Sequence, residues 1–239
     1  MPESECHLTL SDGSVAYVRH NLLKPEKNNV LFVHGLGESG RCFSEAFEHL
    51  PESTFNLLVP DLAGYGRSSS AADYSFDAYC TRLWMVIEEL ERRRSLSIAE
   101  LSVVGHSMGG DLATLLCYRD TARRITSFVN VEGDLTKSDV FISQRAVQAD
   151  ESGSFPKWFK DFKELTVLEE WGRQHPECRR YYASLTFARE EAFLANAIEL
   201  VQRNTTHQSP HGSEIGELYR GPLSSKLGIA RVTQKKLSL

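Results

Sequence analysis

The sequence has no apolar run near the roughly 18 residues that a membrane-crossing helix requires, so a spanning segment is not expected. It has no basic excess: 27 Lys and Arg stand against 32 Asp and Glu, a formal net charge of -5. Nucleic acids and anionic membranes are met by basic faces, and neither is expected as a partner. There is no C-x-x-C, and the five cysteines (Cys6, Cys42, Cys80, Cys117, Cys178) are scattered and odd in number. That speaks against a zinc knuckle or a disulfide framework. The opening residues, Met1-Pro-Glu-Ser-Glu-Cys-His7, are acidic and polar, whereas a signal peptide is basic and then apolar. A reducing, cytoplasmic location is the expectation. What is present is an ordinary globular composition: 239 residues, 41% hydrophobic and 25% charged. A chain of that size buries a core without a disulfide or metal staple.

Apolar runs and turn signals predict strands alternating with helices. Residues 9–10 and 15–18 read as short strands around the turn Ser11-Asp12-Gly13-Ser14. Val30-Leu-Phe-Val33 is an unbroken apolar run ending in His34-Gly35, which suits a strand buried on both faces. A helical stretch over 41–50 is stopped by Pro51, and residues 55–59 read as the next strand. Residues 76–94 form a long helix with Tyr79, Leu83, Val86, Ile87 and Leu90 at helical spacing. A strand over 101–104, a helix over 108–118 and a strand over 128–131 follow. This alternation predicts an α/β fold with a parallel sheet covered by helices on both faces. Chemistry in such sheets collects at the carboxyl ends of the strands. From about Thr136 to Arg220 the chain reads as helical, broken at Pro156, Pro176 and Pro210. Ten of the 23 aromatic residues fall between Phe141 and Phe193, placed either to dock helices on the core or to line an apolar pocket.

The strongest motif is Gly105-His106-Ser107-Met108-Gly109 between a predicted strand and a predicted helix. A G-x-S-x-G turn there must be very sharp. Its glycines let strand and helix approach without a Cβ clash, and its serine is lifted clear of the sheet. Free N–H groups at the helix start can meet a developing oxyanion, which makes Ser107 a candidate nucleophile. The plain alternative is a strand-to-helix connection of small residues. Two further segments end strands at the same sheet edge: His34-Gly35-Leu36-Gly37 and the glycine-rich Pro60-Asp61-Leu62-Ala63-Gly64-Tyr65-Gly66-Arg67-Ser68.

In this order and spacing the three segments resemble the α/β-hydrolase superfamily, over roughly residues 8 to 135. The resemblance implies a mostly parallel α/β-hydrolase sheet flanked by helices, with residues 1–135 as core, 136–220 as a helical cap insertion and 221–239 as a short C-terminal segment. It implies Ser107 as nucleophile, the backbone N–H groups of Leu36 and Met108 as oxyanion hole, and Arg67 as an anchor of the fold. The branch it resembles most hydrolyses small esters, lactones or C–C bonds and needs neither cofactor nor metal. A small-molecule ester or lactone is the implied substrate. The family's acid follows a late strand, and Glu132 and Asp134 both stand just past residue 131; either carboxylate can instead serve as a turn residue or helix cap. The family's base histidine lies near the C-terminus, but residues 222–239 contain no histidine. An incomplete C-terminal part of the core is therefore expected, with Ile229-Ala-Arg-Val232 as a stunted strand, and so is a chain that is weakly active or inactive for want of that histidine. His34 is expected to brace its loop and His106 to point away from Ser107, and the base stays unassigned, with His207 or His211 the least poor substitute.

Two other functions compete. A non-catalytic α/β-hydrolase-like protein that binds a ligand is favoured by the missing histidine. A dinucleotide-binding oxidoreductase is suggested by Gly35-Leu-Gly37-Glu-Ser-Gly40 after a strand, with Asp61 placed 21 residues further on to meet a ribose hydroxyl. That reading leaves the turn at Ser107 unexplained.

Overall fold

The computed structural model describes residues 4–21, 23–133, 139–205 and 228–232. The strands are β1 (Ser4–Thr9), β2 (Val15–His20), β3 (Asn28–Val33), β4 (Phe55–Pro60), β5 (Leu101–His106), β6 (Ile125–Val131) and β7 (Gly228–Val232). They form one sheet in the order β1-β2-β4-β3-β5-β6-β7. β2 pairs antiparallel with β1 and β4, and every pair from β4 through β7 is parallel. This is the expected α/β-hydrolase arrangement, a mixed sheet flanked by helices.

The chain steps from β3 to β4 on one side, then returns to place β5 on the other side of β3. The chain therefore continues in opposite directions after β3 and β5, which marks the carboxyl edge at which sheets of this kind form their binding crevice. Both the His34–Gly37 segment and Ser107 leave the sheet there.

Several boundaries differ from the sequence expectation, each because backbone pairing outruns the apolar pattern. β1 begins at Ser4, since its ladder with β2 extends from Thr9↔Val15 to Ser4↔His20. β6 begins at Ile125 and carries its pairing with β5 through the polar Ser127, whose hydroxyl donates to Ser102 Oγ at 2.6 Å. The expected helix over 41–50 is a 3-10 turn (Gly40–Phe43) followed by α1 (Ser44–His49). The carboxylate of Asp61 takes the Gly40 N–H at 2.7 Å, which ties the start of that stretch to the neighbouring strand. The segment expected as a stunted strand is β7, parallel to β6.

Helix α2 (Phe76–Arg94) has the expected limits. Ser75 caps it by accepting the Ala78 N–H at 3.2 Å. Helix α3 (Met108–Arg119) follows β5 directly and is buried from Met108 through Cys117. The period-2 alternation of β3 divides the core into two layers. Val30 and Phe32 pack with Phe47 of α1 and with Leu57 and Val59. Leu31 and Val33 face the larger cluster with α2 and α3.

After β6 the described chain is helical until β7: α4 (Phe141–Glu151), α5 (Phe155–Asp161), a π-helix (Phe162–Trp171), α6 (Gly172–Gln174), α7 (Cys178–Leu185) and α8 (Glu190–Thr205). Pro156 stands in the first turn of α5 and Pro176 between α6 and α7, both as breaks. Phe155, Trp158, Phe159, Phe162 and Phe193 stack on one another at centroid distances of 4.7–6.4 Å. Most of the aromatic excess thus docks helices. No described helix is long and apolar enough to cross a membrane.

A fully buried amide fastens these helices to the sheet layer. Asn196 Oδ1 accepts the hydroxyls of Tyr65 at 2.7 Å and Tyr79 at 3.1 Å, and Asn196 Nδ2 donates to Tyr74 O at 2.7 Å. Removing it strands the buried Tyr65 hydroxyl and the Tyr74 carbonyl, while the Tyr79 hydroxyl keeps Ala63 O at 2.8 Å. Asn196→Ala is expected to cost about 2–4 kcal/mol, read as a lower midpoint in urea unfolding.

Candidate active site

Ser107 sits between β5 and α3 at φ 51° and ψ −126°, a backbone region that non-glycine residues avoid. Such a residue costs about 1–3 kcal/mol and persists only where its surroundings overdetermine it. The surroundings here are backbone. Ser107 N–H donates to Val131 O at 2.9 Å, and Ser107 O accepts the Gly110 N–H at 2.7 Å. The flanking glycines allow the approach: a Cβ on Gly109 would stand 2.0 Å from Val33 O, and one on Gly105 would stand 2.2 Å from Gly109 O. The sharp strand-to-helix turn expected from G-x-S-x-G is present, with Ser107 partly exposed at its apex.

The two amides expected to face an oxyanion stand at the crevice. Neither Leu36 N–H nor Met108 N–H has a hydrogen-bond partner among the described residues. The loops that carry them touch, since a Cβ on Gly35 would meet Ser107 Cβ at 3.0 Å. Met108 opens α3, so the positive end of the helix dipole adds to its N–H. The loop after β3 is held from the other side by Tyr181 of α7, whose hydroxyl donates to Leu36 O at 3.0 Å.

Six of the eight histidines lie in the described residues, and none of the six is hydrogen-bonded to Ser107 Oγ. His34 is fully buried. Leu62 N–H donates to its Nε2 at 2.9 Å, so Nδ1 carries the proton and donates to Gly35 O at 2.9 Å. It braces two loops, as expected, and burial holds it below the ordinary imidazole range. His20 is similarly committed, between Asn21 O and Arg94 Nη2. His7 and His49 are exposed, and His175 lies near Glu177. The ring of His106 turns to Glu38, with Nδ1 2.8 Å from Glu38 Oε2. His207, His211 and Asp134 lie outside the described residues.

Glu132 stands one residue past β6, at φ 55°. In the register His106 opposes Val131, which places Glu132 beside the apex of the turn. Its Oε2 lies 4.0 Å from His106 Nε2. The expected carboxylate therefore faces an imidazole at the site, but the one that precedes the serine. Glu38 and its pairing with His106 were not foreseen. Its position three residues after Gly35, the spacing at which a carboxylate closes back on a turn amide, is the signal that could have pointed to it.

The loop of residues 60–68 is structural. Asp61 accepts the N–H groups of Gly40 at 2.7 Å and Arg67 at 2.8 Å, and Ser68 Oγ donates to Asp61 O at 2.6 Å. Arg67 pairs with Glu5 at 2.8 Å and lies 5.0 Å over the Tyr17 ring, an anchor as expected. With its carboxylate tied to two backbone amides, Asp61 is turned inward, away from the ribose role of the dinucleotide alternative.

This fold and turn define a hydrolase-type α/β protein, and comparison with known families agrees. The model of the alpha/beta hydrolase fold family matches residues 28–206. The chain belongs to that family. It is 37% identical over 84 residues to Lipase LipV of Mycobacterium tuberculosis (strain ATCC 25618 / H37Rv), a stretch covering 35% of this chain and 29% of that protein. The chain thus spans well under half the length of the curated relatives it matches. Among solved structures it resembles an esterase from Exiguobacterium antarcticum (TM-score 0.66, 16% identity, 98% of this chain and 91% of that one). It also resembles the enol-lactonase of Burkholderia xenovorans LB400 (TM-score 0.69, 15% identity, 96% and 91%). At these identities the likeness to the two structures is one of fold.

Two outcomes follow from the geometry. Gly109→Ala drives a methyl into a strand carbonyl, and is expected to lower stability by about 3 kcal/mol or more in chemical denaturation. His20 and His34 are held neutral by burial, with folded pKa values below the unfolded one. Their contribution is whole above about pH 6.5 and is lost as pH falls through the depressed folded values. The melting temperature should accordingly drop from pH 7 to pH 5; a flat profile over that window is the contrary result.

Proposed function

We propose that this chain is a serine hydrolase acting on a small carboxylic ester or lactone through an acyl-enzyme. The observation that carries the reading is Ser107, held at φ 51° at the head of α3 beside two amides that have no hydrogen-bond partner among the described residues. The lipase, esterase and enol-lactonase names of its relatives and neighbours favour carboxylic ester chemistry. In this reading residues 1–135 are the core, residues 136–220 a helical cap, and residues 221–239 a short C-terminal segment.

Ser107 Oγ attacks the carbonyl carbon while a general base takes its proton. The carbonyl oxygen becomes an oxyanion, and the N–H groups of Leu36 and Met108 donate to it. Collapse of the tetrahedral intermediate breaks the ester C–O bond, and the leaving alkoxide takes the proton from the base. Water then attacks the acyl-enzyme, giving its proton to the same base; the bond to Ser107 Oγ breaks, the base returns the proton to that oxygen, and the acid leaves. In a lactone the alcohol and acyl parts stay joined, so the first half-reaction opens the ring. Glu132 or Asp134 is the acid. The base is unassigned; His207 and His211 are the candidates that this sequence offers. Loss of the base from a triad serine costs about six orders of magnitude in turnover, about 8 kcal/mol.

The second reading, a ligand-binding protein without turnover, is favoured by one observation: no described imidazole reaches Ser107. A fluorophosphonate probe separates the two. Labelling of the full chain, abolished in Ser107→Ala and strongly slowed in one of His207→Ala and His211→Ala, is the expected result. Wild-type protein that stays unlabelled would support the binding role.

A further inference from the structure

His106 is a charged-capable side chain at the site that the acyl-transfer steps leave unused. β5 lies between β3 and β6, and each neighbouring strand sends a carboxylate to this ring: Glu38 at 2.8 Å from Nδ1 and Glu132 at 4.0 Å from Nε2. The first contact is the informative one. Glu38 Oε2 accepts from His106 and also accepts the Gly35 N–H at 3.0 Å. In return Glu38 N–H donates to Gly35 O at 3.2 Å. Residues 35–38 are thus closed into a turn by a reciprocal pair of bonds, with Leu36 inside it. The oxygen that closes the turn is the same atom that holds the elbow's histidine. His106 is bonded covalently to Ser107, and Ser107 to Met108. One carboxylate oxygen therefore links the segment carrying the Leu36 amide to the segment carrying the Met108 amide.

An oxyanion hole works only when both donors stand about 2.7–3.1 Å from one common point. The two amides here belong to different loops, separated by 72 positions in sequence, and nothing in either loop alone sets their spacing. Burial opposes the charge of Glu38, but the His106 ring and the Gly35 N–H outweigh it and hold the carboxyl below its ordinary range, so the acceptor is ionised at neutral pH.

We propose that Glu38 and His106 form a positioning pair that sets the distance between the Leu36 and Met108 amides, and so the strength of the oxyanion hole. The proposal rests on the reading of Ser107 as nucleophile. Glu38 touches no reacting atom; it acts through the loop it closes.

The test compares wild type, Glu38→Ala, Glu38→Gln and His106→Phe. Fluorophosphonate labelling rates and hydrolysis of p-nitrophenyl acetate are measured alongside melting temperature. Glu38→Ala and His106→Phe should lower kcat and the labelling rate in parallel, by about 10- to 100-fold, with KM within about threefold. Glu38→Gln keeps an oxygen that accepts both bonds, and should recover most of the loss. A Glu38→Ala protein labelled at the wild-type rate, a loss confined to KM, or a Gln variant as slow as the Ala variant would each overturn the proposal. Hydrogen exchange of the peptide spanning residues 34–39 is followed in the same folded proteins. Failure of wild type to label refutes the nucleophile reading by itself, and exchange then decides the pairing. Faster exchange at Gly35 and Glu38 in Glu38→Ala, with the rest of the chain unchanged, supports it. Unchanged exchange there overturns it.

Discussion

The structure depends on a backbone-to-backbone contact. The first turn of α3 lies directly against the carboxyl end of β3, so close that Gly109 has no room for a side chain beside the Val33 carbonyl. Gly105 makes the matching concession on the strand side. Because peptide faces peptide, the strained conformation of Ser107 is fixed by groups that cannot change rotamer. The position of Ser107 at the carboxyl edge and its partial exposure follow from that single approach.

Around this contact the polar side chains act mainly as ties between segments distant in sequence. Asp61 joins its own loop to the 3-10 turn at Gly40, and His34 joins the loop after β3 to Leu62. Asn196 joins α8 to Tyr65 of the loop after β4 and to Tyr79 of α2. Each is buried and satisfied, the condition under which a buried polar group specifies an arrangement instead of destabilising it. Their positions explain why motifs rich in chemically capable residues turn out to be partly architectural. Asp61, Arg67 and His34 all titrate or carry charge, yet each is committed to a neighbour.

The helices after β6 press on the same crevice. Tyr181 reaches Leu36 O, and Leu185 and Phe193 stand against Gly37. The aromatic stack behind them joins the same apolar core that holds β3, α2 and α3.

The alternation of strands and helices, the limits of α2 and the turn at Ser107 were legible in the sequence, because each is set by local rules. An apolar period marks a helix, a four-residue apolar run marks a buried strand, and glycines at fixed offsets mark a turn that only they can make. Even β7 showed as the short segment Ile229-Ala-Arg-Val232. The starts of β1 and β6 were not legible, because ladder pairing with a neighbour carried the strands through polar residues. Nor was the meeting of Glu38 with His106, 68 positions apart. Which strand returns beside β3 is a matter of topology. Only when β5 is laid next to β3 do a carboxylate, an imidazole and two backbone amides from separate loops share one place, since no local pattern encodes a distance between segments that meet solely through the sheet.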